Sequence, residues 1–442
     1  TLVTLSTPRS ASSGFAREST ETDIFSNIRK KSLSPKIDLN ANLPLSMNQT
    51  LTLGVHGKYS ANSYHRLYQE QPFETMTDED EKALSFQLSA IYNYFSQKHS
   101  LSVELFHYHD VWNADYSGNC ELWQHLWKGE SLAFFSYNFQ ASRRLSLKTR
   151  IGLDWLQYHL HGNNSFSQLS PRINTNVQYQ LNKGMLLWSF NFVNSNHGMD
   201  IINRAMIQVN SHMMEKGMPE LKKSHDINTY LYYMGRFNRL SVSAIGQFRY
   251  NHHPVTDDYY LDEANGKIVK TYSNGGNAQY YSAILALQYK LCKFANLSGD
   301  IRYSHAEVTT TWSKHNNNLT GNLGLNMFMG DFALKPYLHF GKKSLDEAAL
   351  VISKTPIDYG MSCSYSRGNL YVELQAVSPF KKQEKRYWLD LPIYSYSKSI
   401  KDQTASQYAS IKVAYSFDFG RKTQKVEKDV NKNINSSLLR VE

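Results

Sequence analysis

The chain has 442 residues, with 30 Tyr, 21 Phe and 7 Trp against only 11 Pro, and a mean hydropathy of −0.51. No stretch reaches the roughly 18 to 20 continuous apolar residues of a membrane helix, which excludes a helical membrane protein but not a β-barrel, whose strands give only alternate residues to lipid. The formal charge of +10 comes from scattered Lys and Arg rather than a patch, so it suits basic loops beside anionic headgroups and not nucleic acid.

In chain order, residues 1–33 are assigned as a loop or partial strand, 34–420 as barrel wall, and 421–442 as a charged, aperiodic periplasmic tail. No signal peptide is visible from Thr1 onward; either one has been removed or the chain is a piece of a longer protein, and the second is the expectation. Within the wall, apolar and polar residues alternate, as they do when successive side chains of a strand point to opposite faces. Phe86, Leu88, Ala90, Tyr92 and Tyr94 should face lipid, with Gln87, Ser89 and Asn93 inward. Leu145, Leu147, Thr149, Ile151, Leu153 and Trp155 oppose Ser146, Lys148, Arg150, Gly152 and Asp154. Ile173, Thr175, Val177 and Tyr179 oppose Arg172, Asn174, Asn176 and Gln178. Leu297, Gly299, Ile301 and Tyr303 oppose Ser298, Asp300, Arg302 and Ser304. The pattern recurs from Leu370 to Ala376 and from Ala409 to Phe419.

Short polar turns are expected at Ser46–Gln49, Ser96–His99, Ala141–Arg144, Leu181–Gly184, Phe237–Arg239, Leu291–Ala295, Met329–Phe332 and Ser366–Asn369. Long loops are expected at Ala61–Lys82, Asn113–Lys128, His159–Ser170, Asn194–Asp226, His252–Gly276 and Phe380–Ser406. Short turns on one side and long loops on the other are the asymmetry of an outer-membrane barrel. The fold class is therefore all-β, a transmembrane antiparallel up-and-down barrel of about 17 to 18 strands with a polar lumen.

Three runs carry a family resemblance: LSPRINTNVQYQLNKGMLLWSFNF (Leu169–Phe192), VNSHMMEKGMPELKKSHDINTYLYY (Val209–Tyr233) and the ending YSFDFGRK…NINSSLLRVE. Together they resemble the TonB-dependent-receptor-like outer-membrane β-barrel proteins of Bacteroidetes. In that family an outer loop carries a G-N-P-x-L-x-P motif. Gly217, Pro219 and Leu221 match it, while Met218 and Lys223 stand where Asn and the second Pro are usual. The resemblance is strongest from Ser170 to Glu442. It implies a parent barrel of about 22 strands occluded by an N-terminal plug, with a TonB box reached through that N-terminal region. The chain resembles the C-terminal barrel portion of such a receptor.

His107–His109, His159–His161 and His252–His253 sit on loop rims, but a transition-metal site needs three or four rigid ligands. Asp257, Asp258, Asp262 and Glu263 lack the spacing of an EF-hand. Cys120, Cys292 and Cys363 stand far apart, and the first two fall on opposite sides of the membrane, so no disulfide framework is expected. No GxSxG, P-loop or HExxH motif is found, and no enzyme, cofactor or metal is expected. Glu104, Lys148, Arg150, Asp154, Arg172, Arg302, Glu373 and Lys412 should line the lumen and pair with one another or with a plug. The loop aromatics Tyr64, Tyr68, Trp112, Tyr116, Trp123, Trp127, Tyr259, Tyr260, Tyr272 and Trp312 suit either ligand stacking or girdle packing. Of these, Trp112, Trp123, Trp127, Tyr259, Tyr260 and Trp312 are the ligand candidates.

The expected function is uptake of a bulky glycan, siderophore or peptide. The expected partners are outer-membrane lipid and lipopolysaccharide, TonB, and a surface lipoprotein as lid. A non-transport adhesion or assembly barrel and a passive porin are the alternatives.

Overall fold

The computed structural model describes residues 4–6, 24–70, 72–163, 165–195, 197–381, 383–401 and 407–417. Phe419 and the tail 421–442 lie outside them. Eighteen strands curl into one antiparallel barrel. Two of these, Ile24–Leu33 and Lys36–Ser46, run in a single line along Gln49–Glu70, so the wall has 17 staves. Pro35 interrupts that line because it has no N–H to give, yet its carbonyl still accepts from Tyr59 N at 3.1 Å. The remaining staves follow in order: Gln49–Glu70, Phe73–Phe95, His99–Gly118, Leu122–Gln140, Leu145–Leu160, Ser165–Leu181, Gly184–Ser195 and Ser224–Phe237. Then come Leu240–His252, Asn277–Cys292, Ala295–Thr309, Ser313–Met329, Phe332–His339, Asp358–Arg367, Leu370–Val377 and Tyr408–Tyr415.

All eight short turns fall where the polar interruptions put them. The outward set of each strand is apolar and exposed: Leu53, Leu88, Leu105, Ile151, Leu231, Leu285, Ile301 and Leu323 among others. This is the lipid face, where a mid-bilayer charge costs about 2 to 4 kcal/mol. Among the described residues no helix is long and apolar enough to cross a membrane.

Three expected loops are strand instead. Ala61–Lys82, Asn113–Lys128 and His159–Ser170 are the upper ends of hairpins whose paired strands end at Glu70, Gly118 and Leu160. Polar residues on both faces hide the period there. Thr75, Thr77, Glu79 and Glu81 are buried inward while Glu74, Met76 and Asp80 are exposed outward. The result is a lopsided wall. Phe73–Phe95 has 23 residues and Leu370–Val377 has 8, where a bilayer needs roughly 9 to 11. The tall side therefore stands well clear of the membrane.

An odd number of staves leaves 24–46 and 408–415 running in the same direction at the seam. Lys36–Ser46 and Tyr408–Tyr415 are exposed along their length, and no ladder between the two staves is among the described pairings.

Candidate functional site

Glu104, Glu130, Lys148, Arg150, Asp154 and Arg172 occupy even positions on four adjacent strands and so share the inward face. Arg150 reaches past one strand to Glu104, Nη2 to Oε2 2.5 Å, with its guanidinium 3.5 Å above the Phe134 ring. Ser136 Oγ donates to the other Glu104 oxygen at 2.8 Å. Above this pair Arg172 joins Asp154 at 2.8 Å, Glu130 at 3.2 Å and the Asn194 carbonyl at 3.4 Å. Lys223 enters from the loop 197–223 and places its Nζ 2.9 Å from the same Asp154 oxygen. Lys223 and Asp154 are almost wholly buried, so neither charge has water as an alternative partner.

The loop carrying Lys223 folds inward and packs on the tall wall. Met199 and Ile202, in a single helical turn Met199–Ile202, are buried against Ala83, Trp112, Leu126 and Leu160. Ala205 and Ile207 bury against Ala114 and Tyr116. Arg66 Nη2 donates to the Val209 carbonyl at 2.7 Å, and Arg204 N donates to Gln124 Oε1 at 3.1 Å. The Gly217–Leu221 segment closes the loop on itself. Met218 N donates to Ile201 O at 2.7 Å, and a Cβ at Gly217 would lie 2.2 Å from Asn203 O. Only glycine allows that approach.

A roof joins this loop to the others. Met213–Lys216 pairs in parallel with Lys267–Ser273, which pairs with Thr256–Asp262. Lys270 sits at the centre, its Nζ 3.3 Å from Glu215 and 3.4 Å from Asp257. Burial pushes the Asp257 carboxyl up to about 6 despite Lys270 beside it. Burial works against the Lys270 ammonium, yet Glu215 and Asp257 raise it above the ordinary lysine range. A second sheet holds Lys342–Asp346, Val351–Thr355, Lys385–Asp390 and Ser395–Ile400, edged by Thr4–Ser6. It packs on the first through Tyr259, Ile268, Leu350, Leu389 and Leu391.

Across the barrel the lumen is different. A hollow of about 670 Å³ is lined mainly by hydroxyl, amide and small residues, Ser241, Ser243, Gln288, Ser298 and Asn322 among them. Asp300, Lys335, His339 and Glu373 are the ionisable members. Arg302 shares the inward register two residues from Asp300, and Glu373 lies opposite Lys412.

The six ligand candidates do not converge. Trp112 is buried under the inward loop, and Tyr259 is buried in the roof core, stacked on Tyr394 at 5.2 Å. Trp312 donates Nε1–H to Asp258 at 2.8 Å. Trp123 and Trp127 lie on the outward face, edge-on to His161 (4.9 Å) and His109 (5.4 Å). Tyr260 is exposed on the far side of its strand from Tyr259. Sequence reasoning missed Glu130, Lys223 and the Glu215–Lys270–Asp257 triad. The one signal for Lys223 was its standing where the family motif has proline. Among the described residues no three His, Cys, Asp or Glu gather as a metal would need, and the three cysteines are free.

No protein-family model matches the sequence, and no curated protein matches it. Solved structures do. The chain is similar to the copper transporter OprC, with 10% identity over 84% of this chain and 72% of that one, at a TM-score of 0.57. It is similar to the ferric yersiniabactin uptake receptor FyuA from Yersinia pestis, with 10% identity over 88% and 62%, at 0.58. The siderophore receptor PiuA from Acinetobacter baumannii gives 11% over 87% and 64%, at 0.56. The chain thus spans less than two thirds of FyuA and PiuA. At these identities the shared property is architecture: the chain has the fold of an outer-membrane transporter barrel.

Proposed function

We propose that the chain is the barrel of a TonB-dependent uptake receptor, taking a bulky glycan, siderophore or peptide at its loops and passing it along the lumen. The observation that carries this reading is the roof. Loops from four parts of the chain meet over a polar lumen, and one of them is latched by Lys223 to the inner wall. A passive pore gains nothing from closing its mouth with a buried core. In this reading the charged wall at Arg150 and Arg172 docks the plug of the parent protein. Ligand release would then be gated rather than chemical, driven by TonB.

The test is energised uptake. Whole cells carrying the full-length protein should accumulate a labelled bulky nutrient, and an uncoupler that collapses the inner-membrane potential should stop it. Uptake that continues at the same rate under the uncoupler contradicts the reading and leaves a porin.

A further inference from the structure

A second cavity, which meets the lumen charges only at Lys223, opens at the outer rim between the ends of Ser165–Leu181, Ser224–Phe237 and Leu240–His252. It has a volume of about 250 Å³, several times that of a water molecule. Its lining is Phe166, Gln168, Lys222, Lys223, His225, His252 and His253. Five of these seven are basic, and none is a carboxylate.

The imidazoles are oriented by the groups behind them. His225 Nδ1 lies 2.8 Å from Asn194 Oδ1, and that amide is fixed because Asn194 Nδ2 donates to the Pro171 carbonyl. His252 Nδ1 lies 2.8 Å from Asn277 Oδ1, which also accepts from Tyr250. His253 Nδ1 lies 2.8 Å from the Asn274 carbonyl. Each partner is an acceptor, so each Nδ1 carries a proton and donates. Nε2 is then the free nitrogen of all three rings, and once protonated it becomes a charged donor.

Two further features are built for this arrangement. His253 has φ +60°, a left-handed conformation uncommon for a residue with a Cβ, and it sets its ring 3.9 Å from that of His252. Asn274 also accepts from Lys222 N and donates to Lys222 O, so Lys222 is stapled beside the histidines. Lys222 has no ion pair among the described residues.

The surrounding charges leave the cavity electropositive. Lys223 is matched by Asp154, which Arg172 also holds. Asp226 adjoins His225 in the chain but falls on the opposite, lumen side of the strand. Glu130 is taken by Arg172. Among the described residues no three His, Cys, Asp or Glu gather as a cation would need.

We infer that this cavity is a phosphate-group site, recognising a phosphate monoester through Lys222 and the Nε2 atoms of His225, His252 and His253. Such donors form charge-assisted bonds to an anion. Two sources fit the chemistry: a phosphate of an outer-leaflet glycolipid, or one on a solute arriving from outside. The site stands apart from the transport reading, since it needs only the folded rim.

The test is titration of the full-length protein in micelles with inorganic phosphate, against chloride at equal ionic strength. Lys222→Met and His253→Gln should each weaken phosphate binding about tenfold, and Lys222→Arg should restore it. Heat-modifiable migration on gels confirms that each variant keeps its barrel. Phosphate binding that is absent, or equal in wild type and in the Lys222→Met, His253→Gln double variant, overturns the inference. Nanodiscs separate the sources. Preferential retention of bisphosphorylated lipid A over the same lipid stripped of phosphate assigns the site to the glycolipid. Binding of free phosphate with no such preference assigns it to a solute.

Discussion

The inner wall of this barrel is two surfaces. From His99 to Leu181 the carboxylates Glu104, Glu130 and Asp154 are matched, by Arg150, by Arg172 and, from a loop that lies on top of them, by Lys223. From Leu240 to Val377 it presents hydroxyls, amides and small residues around an open hollow. A buried matched network is weak evidence for stability, because desolvation offsets much of the attraction, but removing one member leaves a charge stranded. The first surface is therefore suited to holding something in one place. The second, with mostly neutral donors and acceptors around Asp300, Lys335, His339 and Glu373, wets a path without a deep trap.

The sharpest way to break this contrast is Lys223→Met. It strands part of Asp154, whose second oxygen already has no partner among the described groups, and should cost about 3 to 5 kcal/mol. Hydrogen exchange should show the amides of 199–221 opening, while those of 285–300 stay protected. Unchanged exchange in 199–221 removes the latch.

The roof offers the next largest effect. The folded Asp257 carboxyl is pushed up to about 6 from an ordinary 3.8. The folded state therefore holds a proton there that the unfolded chain has lost. This stabilisation is complete below about pH 3.8 and disappears as pH rises through about 6, a difference of about 3 kcal/mol. Asp257→Asn should flatten the pH dependence of roof stability, read as protease resistance of 253–276, between pH 4 and 7. An unchanged slope assigns it to another group.

Gly217→Ala should cost about 1 to 3 kcal/mol, since its Cβ would meet the Asn203 carbonyl. Denaturation midpoints measure it, and a neutral result means that the loop shifts freely. On the open side, Ser243→Ala and Ser298→Ala should each change stability by about 0.5 kcal/mol or less. A loss as large as that at Lys223 would show that the two surfaces are not different in kind.

The membrane wall was legible because lipid imposes an apolar period of two, and every turn that interrupts it is polar. The same rule failed above the membrane. At Ala61–Lys82 the outward face meets water and the inward face meets a polar loop, so the period survives only as Thr75, Thr77, Glu79 and Glu81 against Glu74, Met76 and Asp80. The lumen charges could be placed on a face by parity alone. Their partners could not, because Asp154 and Lys223 are 69 residues apart and meet only through the folding of the loop. The aromatic residues misled in the same way. Trp112 and Trp123 look alike in sequence, yet one is inside under Met199 and the other is outside beside His161.

The central claim is that the charged half of the lumen is a docking surface. Its most direct test is passive leak of small solutes through the full-length protein with Arg150→Ala and Arg172→Ala together, measured as conductance in planar bilayers. On the proposed reading the wild type is closed and the variant shows a steady rise in conductance, because a plug docked there would lose its seat. Conductance equal to wild type in a correctly folded variant would contradict it.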